Sequence, residues 1–106
     1  MDNKKNIIKK LHKFRKKLKE KLQIEKIIFF GSRTNGKFNE DSDIDLIIVS
    51  KDFKGKKFRS RAIGFYDYWD LDYPVDFLCY TPEEFNRLKK QITIVKEAVR
   101  EGIKIN

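Results

Sequence analysis

Between Lys4 and Leu22 the apolar residues Ile7, Leu11, Phe14, Leu18 and Leu22 recur in steps of four, three, four and four, tracing one stripe along a helix. This predicts an amphipathic helix over about 4–22, its apolar side lying on a core. His12 adjoins the stripe with no partner at metal-ligand spacing, and is expected at the helix surface or boundary. The pattern then changes. Ile24 to Phe30 is an almost continuous apolar run rich in β-formers and stopped by Gly31, the signature of a strand covered on both faces. Residues 31–42 are polar, with Asn35, Gly36 and Asn39 as turn formers, and a single helical turn after Ser32 would fit. Asp43 to Val49 reads as a second strand whose first half alternates acidic and apolar residues.

Phe58, Ala62, Phe65, Tyr66 and Trp69 fall at helical spacing and predict a second helix over about 56–70, weakened by Gly64. Pro74 opens a third strand, Val75 to Tyr80, since proline is tolerated where a strand begins. Thr81-Pro82-Glu83-Glu84 is a helix start: a threonine cap, a proline at the first helical position and acids in the first turn. Ile92, Val95, Val99 and Ile103 predict one or two closing helices. The expectation is an α/β fold, a small mixed β-sheet of three or four strands flanked by helices. It forms a single domain over 1–106, with an N-terminal helix over about 4–22, a core over 24–80 and closing helices over 82–103.

Composition narrows this reading. A chain of 106 residues has room for one core, and nine Phe with four Tyr can fill it. With 39% charged residues and no run of roughly 20 apolar ones, a membrane span is not expected. Met1 to Lys5 leads into no apolar signal-peptide core, so a cytoplasmic address is expected. The single cysteine, Cys79, lies in an apolar run without Cys or His company and is expected to be a small buried residue. Of the net charge of +9, residues 1–22 hold nine Lys and one Arg against two acids, a net +8. Such a face is a solvated helix surface or a meeting place for RNA, DNA or an acidic protein.

The chemistry is concentrated in three acids. Asp43 and Asp45 are separated by one residue on a strand, so they project to the same face and repel each other unless a cation compensates. A hard divalent ion that prefers oxygen ligands is the natural partner. Asp76 holds the matching early position in the third strand, and strand pairing would bring it alongside, making a platform for one or two magnesium ions. Gly31-Ser32 sits where an apolar strand ends. Glycine lets the backbone approach a ligand closely, and the following N–H groups with the Ser32 hydroxyl can bind phosphate oxygens. Arg33 adds a cation suited to a triphosphate.

Phe30-Gly31-Ser32-Arg33-Thr34-Asn35-Gly36, then Ser42-Asp43-Ile44-Asp45-Leu46, then Val75-Asp76-Phe77 resemble the minimal nucleotidyltransferases of the DNA polymerase β-like superfamily. The resemblance covers roughly residues 24–80. Asn35 departs from it, standing where many members carry a second arginine. The resemblance implies attack of an acceptor hydroxyl on the α-phosphorus of an NTP, expected to be ATP, with pyrophosphate leaving. It implies that Asp43 and Asp45 bind two magnesium ions, that Asp76 binds the ion at the acceptor hydroxyl and acts as base, and that Gly31, Ser32 and Arg33 contact the triphosphate. In the minimal family the partner is commonly a HEPN-domain ribonuclease toxin, with the nucleotidyltransferase acting as antitoxin by adenylylating a toxin tyrosine. Elements 4–22 and 56–70 are then candidate docking surfaces. Two other readings stand beside this one: a non-catalytic antitoxin that neutralises its partner by binding alone, and a basic nucleic-acid-binding domain using Lys4 to Lys21.

Overall fold

A computed structural model describes residues 4–30 and 44–105 of the chain. The first helix, α1 (Lys4–Lys19), buries Ile7, Leu11, Phe14 and Leu18, the predicted stripe. It ends one turn before the expected boundary, and Leu22 packs half-buried on the core from the following turn. His12 is exposed on the opposite side.

Among the described residues four strands form one sheet in the order β3-β2-β1-β4, where β1 is Ile24–Phe30, β2 Ile44–Ser50, β3 Val75–Tyr80 and β4 Ile103–Lys104. The β1–β2 and β1–β4 pairs are antiparallel and β2–β3 is parallel, so the sheet is mixed as expected. β2 lies inside the sheet and buries every residue except Asp45, which is half-buried. This is why its sequence reads as a nearly unbroken apolar run. A bulge between Ile24 and Lys26 shifts the register of β1, so that Ile24 and Ile27, an odd number of residues apart, reach the same cluster.

One face of the sheet packs Ile27, Phe29, Leu46, Ile48 and Cys79 against α1 and the connection between β2 and β3. The other face packs Ile28, Phe30, Ile47 and Val49 under α2 (Pro82–Leu88) and α3 (Ile94–Glu101). α2 starts at the predicted place: Thr81 Oγ1 accepts from Glu84 N–H while the Glu84 carboxylate accepts from Thr81 N–H, a reciprocal capping box. Thr93 fixes the next start, its hydroxyl accepting from Lys96 N–H and donating to the Leu88 carbonyl.

Two expectations are corrected. The helix predicted over 56–70 is two short 3-10 turns, Phe58–Ser60 and Phe65–Tyr68. In an α-helix the Lys56 carbonyl would accept from Ser60 N–H. Here Arg61 Nε takes that carbonyl at 3.1 Å, and Ser60 N–H turns to Lys57 instead. Gly64, at φ +91°, then interrupts any helical continuation with a left-handed conformation that side chains disfavour. Ile103, predicted to be helical, is in β4. A Cβ on Gly102 would lie 2.5 Å from the Ala98 carbonyl and 2.6 Å from Ile28 Cγ2, so only glycine lets the chain leave α3 close enough to pair with β1.

Candidate active site at the head of two parallel strands

Asp45 and Asp76 are register partners across the parallel β2–β3 ladder, each near the start of its strand. Adjacent strands lie about 4.8 Å apart and in-register residues point to the same side. Both therefore share the parity of Ile47, Val49 and Leu78, on the face covered by α2 and α3. Across the antiparallel ladder on the other side of β2, Asp45 faces Phe30, the last residue of β1. Asp45 is half-buried, whereas Asp76, on an edge strand, is exposed. The sheet thus brings together two of the three predicted carboxylates and the strand end that precedes Gly31. Asp43, Gly31, Ser32 and Arg33 lie outside the described residues. Chain connectivity alone ties Gly31 to Phe30 and Asp43 to Ile44.

Two carboxylates in register, one of them open to solvent, supply hard oxygen donors on one side of the sheet. That donor chemistry fits a magnesium ion, which takes one or two carboxylates and completes its octahedron with water and phosphate oxygens. Among the described residues no group of three Asp, Glu, His or Cys side chains could by itself hold a metal. Asp43 is the further acid that the sequence places next to this pair.

Around Asp76, an element that sequence patterning missed props up the edge strand. Arg61, 8% exposed, donates from Nε to the Lys56 carbonyl, from Nη1 to the Cys79 carbonyl at 3.1 Å, and from both terminal nitrogens to the Glu84 carboxylate. One guanidinium therefore joins the β2–β3 connection, β3 and the cap of α2. The hydrogen bonds from Arg61 hold the Glu84 carboxyl below the usual glutamate range; burial opposes them and Thr81 N–H assists. No periodicity marks Arg61, because its partners are distant in sequence; only the Thr81–Glu84 cap was legible. Cys79 is buried as expected, and burial pushes its thiol up to about 12, so it is not a nucleophile at neutral pH.

Aromatic residues gather under Asp76. Phe77 stacks on Phe14 at 5.6 Å and meets Phe65, Tyr66 and Trp69 edge-on at 5.7, 5.1 and 5.9 Å. Trp69 Nε1 donates to the Tyr73 carbonyl at 2.9 Å. This group fixes the early part of β3 against α1. Among the described residues no helix is long and apolar enough to cross a membrane.

Comparison with known proteins separates fold from family. A candidate nucleotidyltransferase from Sulfolobus solfataricus superposes with a TM-score of 0.65 at 19% identity, over 93% of this chain and 78% of that one. BolA1 from Arabidopsis thaliana superposes with a TM-score of 0.54 at 21% identity, over 71% of this chain and 94% of that one. At such identities both show a shared fold, and a fold by itself does not specify chemistry. No curated protein matches the sequence. The family model of the nucleotidyltransferase domain, however, matches residues 11–100, spanning the second half of α1, the strands β1 to β3 and most of α3. By that match the chain belongs to the nucleotidyltransferase domain family.

Proposed function

We propose that this protein is a minimal nucleotidyltransferase that moves AMP from ATP to a hydroxyl acceptor, with Asp43, Asp45 and Asp76 holding magnesium. The supporting observation is the in-register pairing of Asp45 with Asp76 at the strand end that runs into Gly31-Ser32-Arg33. The bound ions would supply positive charge at the α-phosphoryl group and the departing pyrophosphate. Asp76, exposed at the edge, would accept the proton of the acceptor hydroxyl. Asp45, anchored in the buried strand, orients the pair. The Ser32 hydroxyl, backbone N–H groups after Gly31, and Arg33 bind the outer phosphates.

By resemblance the acceptor is a tyrosine of a HEPN-domain toxin, and the protein acts as its antitoxin in the cytoplasm. Incubation with magnesium, α-labelled ATP and the product of the neighbouring gene tests this. Label should appear on that protein with wild type and fall at least about 100-fold with Asp45→Ala, the scale for losing one electrostatic catalytic group. Unchanged labelling by Asp45→Ala would refute the assignment. Neutralisation without label, retained in the Asp43→Ala/Asp45→Ala variant, would leave a binding-only antitoxin. Label recovered on RNA would move the acceptor to nucleic acid, for which α1 presents exposed Lys5, Lys9, Lys13 and Lys16.

A further inference from the structure

The solvent side of α1 is a band of positive charge. Lys5, Lys9, Lys13, Lys16 and Lys19 are exposed along it, and Glu20 is the one acid in the sequence from 4 to 22. At 3.6 residues per turn these lysines recur about 4.5–6 Å apart along the axis and, with exposed Lys17, cover an arc of about 160°. The band runs the length of a 16-residue helix, about 24 Å. For the helix alone this arrangement is unfavourable. Lys5 and Lys9, and Lys9 and Lys13, are like-charge pairs four residues apart, and Lys5 sits in a first turn without acids, where the macrodipole is already positive. Lys17 reaches a carboxylate, Asp70 at 3.4 Å. On the flank of the band, half-buried Arg15 has a buried Nε without a hydrogen-bond partner among the described residues. Such a row of cations is relieved when a polyanion lies along it.

We infer that this band binds double-helical RNA through its phosphates, without regard to sequence. A membrane is the wrong partner. Ile7, Leu11, Phe14 and Leu18 are at most 1% exposed inside the fold, so α1 has no apolar face to sink into a bilayer. An acidic protein fits little better: among the described residues no exposed large hydrophobic lies on α1, and lysine is depleted at the cores of protein interfaces. Phosphates ask only for charge, since neutralising them releases counterions. The band offers no phenylalanine, tyrosine or tryptophan plane to unpaired bases, which argues against a single strand. A helix that reads B-form DNA presents arginine, asparagine or glutamine to base edges, whereas the midline here, Lys5, Lys9 and Lys16, is lysine. The narrow major groove of A-form RNA brings two phosphate rows together, and a band this wide meets both from outside. Its place in the fold separates it from the carboxylates. α1 covers the sheet face that holds Phe29, Leu46 and Ile48, while Asp45 and Asp76 share the opposite face with Ile47 and Val49. RNA on α1 therefore tethers the protein and leaves the carboxylate face open, whether or not the chain transfers nucleotides.

The test titrates the full chain into a fluorescent RNA duplex of about 16 base pairs, the span that double-stranded-RNA-binding domains cover. Comparisons are an RNA duplex of unrelated sequence, a DNA duplex and a single strand, read by anisotropy between about 50 and 200 mM salt. The two RNA duplexes should bind alike, and the DNA duplex and single strand more weakly. Lys9→Ala/Lys13→Ala/Lys16→Ala should weaken RNA binding at least about tenfold and flatten the slope of log affinity against log salt by about three, one for each lost phosphate contact. Arg87→Ala/Lys90→Ala/Lys96→Ala removes the same charge from exposed positions of α2, the turn after it and α3, and should change binding less than about twofold. Circular dichroism checks that both variants fold, and the first, relieved of like-charge pairs, should melt no lower than wild type. Equal weakening by the two triple variants would mean that net charge alone attracts RNA and would overturn the surface. So would tighter binding to the DNA duplex, equal binding to polyglutamate or phosphatidylserine vesicles, or displacement of the RNA by magnesium-ATP. Asp45→Ala should leave RNA affinity unchanged; RNA binding without any nucleotide transfer keeps the surface and defeats only the transferase reading.

Discussion

β2 and the connection that follows it make opposite use of their residues. β2 places seven residues between two partner strands and two apolar layers, and the one side chain short of full burial is Asp45, near the strand's start. The connection from Lys51 to Pro74 has no α-helix and is pinned at a few points, Phe53, Arg61, Phe65 and Leu71, while Phe58, Ile63 and Tyr66 stand open. On the proposed function, a carboxylate at the reaction needs a position fixed by the whole fold, and a buried central strand provides it. A recognition surface needs exposure and freedom to vary, and an anchored loop provides that. Asp76 lies where the two meet, on the strand that the connection delivers.

The contrast can be tested by weakening each region. The largest effect is expected from Ile48→Ala in the fully buried centre of β2, which should cost about 2–5 kcal/mol in urea unfolding, against within about 0.5 kcal/mol for Ile63→Ala in the connection. Equal losses would mean that the connection is as much core as the strand.

Next is Arg61→Leu, which removes the guanidinium that ties the connection to β3 and leaves Glu84 without its main partner. Discounting for the partly exposed Glu84, the cost should be about 2 kcal/mol. Limited proteolysis should then cut first between residues 54 and 70. Because the Glu84 carboxyl titrates lower in the folded state than in the unfolded one, its contribution is complete above the ordinary glutamate range and fades as pH falls through the lowered folded value. Wild type should therefore lose part of its advantage over Arg61→Leu below about pH 4.5. A difference constant with pH would remove the ion pair from the account.

A smaller loss than for Arg61→Leu should come from Gly64→Ala. An added Cβ meets nothing within 4 Å, so only the positive φ is strained, at about 1 kcal/mol. A thermal melt indistinguishable from wild type would show that the turn adapts without holding its neighbours.

Much of this was legible beforehand because it depends on local spacing. The α1 stripe, the apolar runs of β1 to β3 and the Thr81 cap each specify an element from residues within a few positions of one another. That Asp45 and Asp76 stand near the starts of two strands could also be read, since each precedes an apolar run. The connection could not. Phe58, Ala62 and Phe65 have helical spacing, yet Arg61, held by Cys79 and Glu84, takes the carbonyl that a helix would have used. β4 was hidden for a similar reason, its two residues gaining a strand only through Gly102 and the edge of β1.

By itself the sequence determined the mixed α/β composition, the strands that carry acids and the oxygen-rich chemistry they imply. Only the tertiary structure decided that β2 and β3 run parallel with Asp45 opposite Asp76, and that α1 covers the sheet face away from them. Periodicity is set by neighbours along the chain, whereas register and layering are set by hydrogen bonds and packing between segments far apart in it.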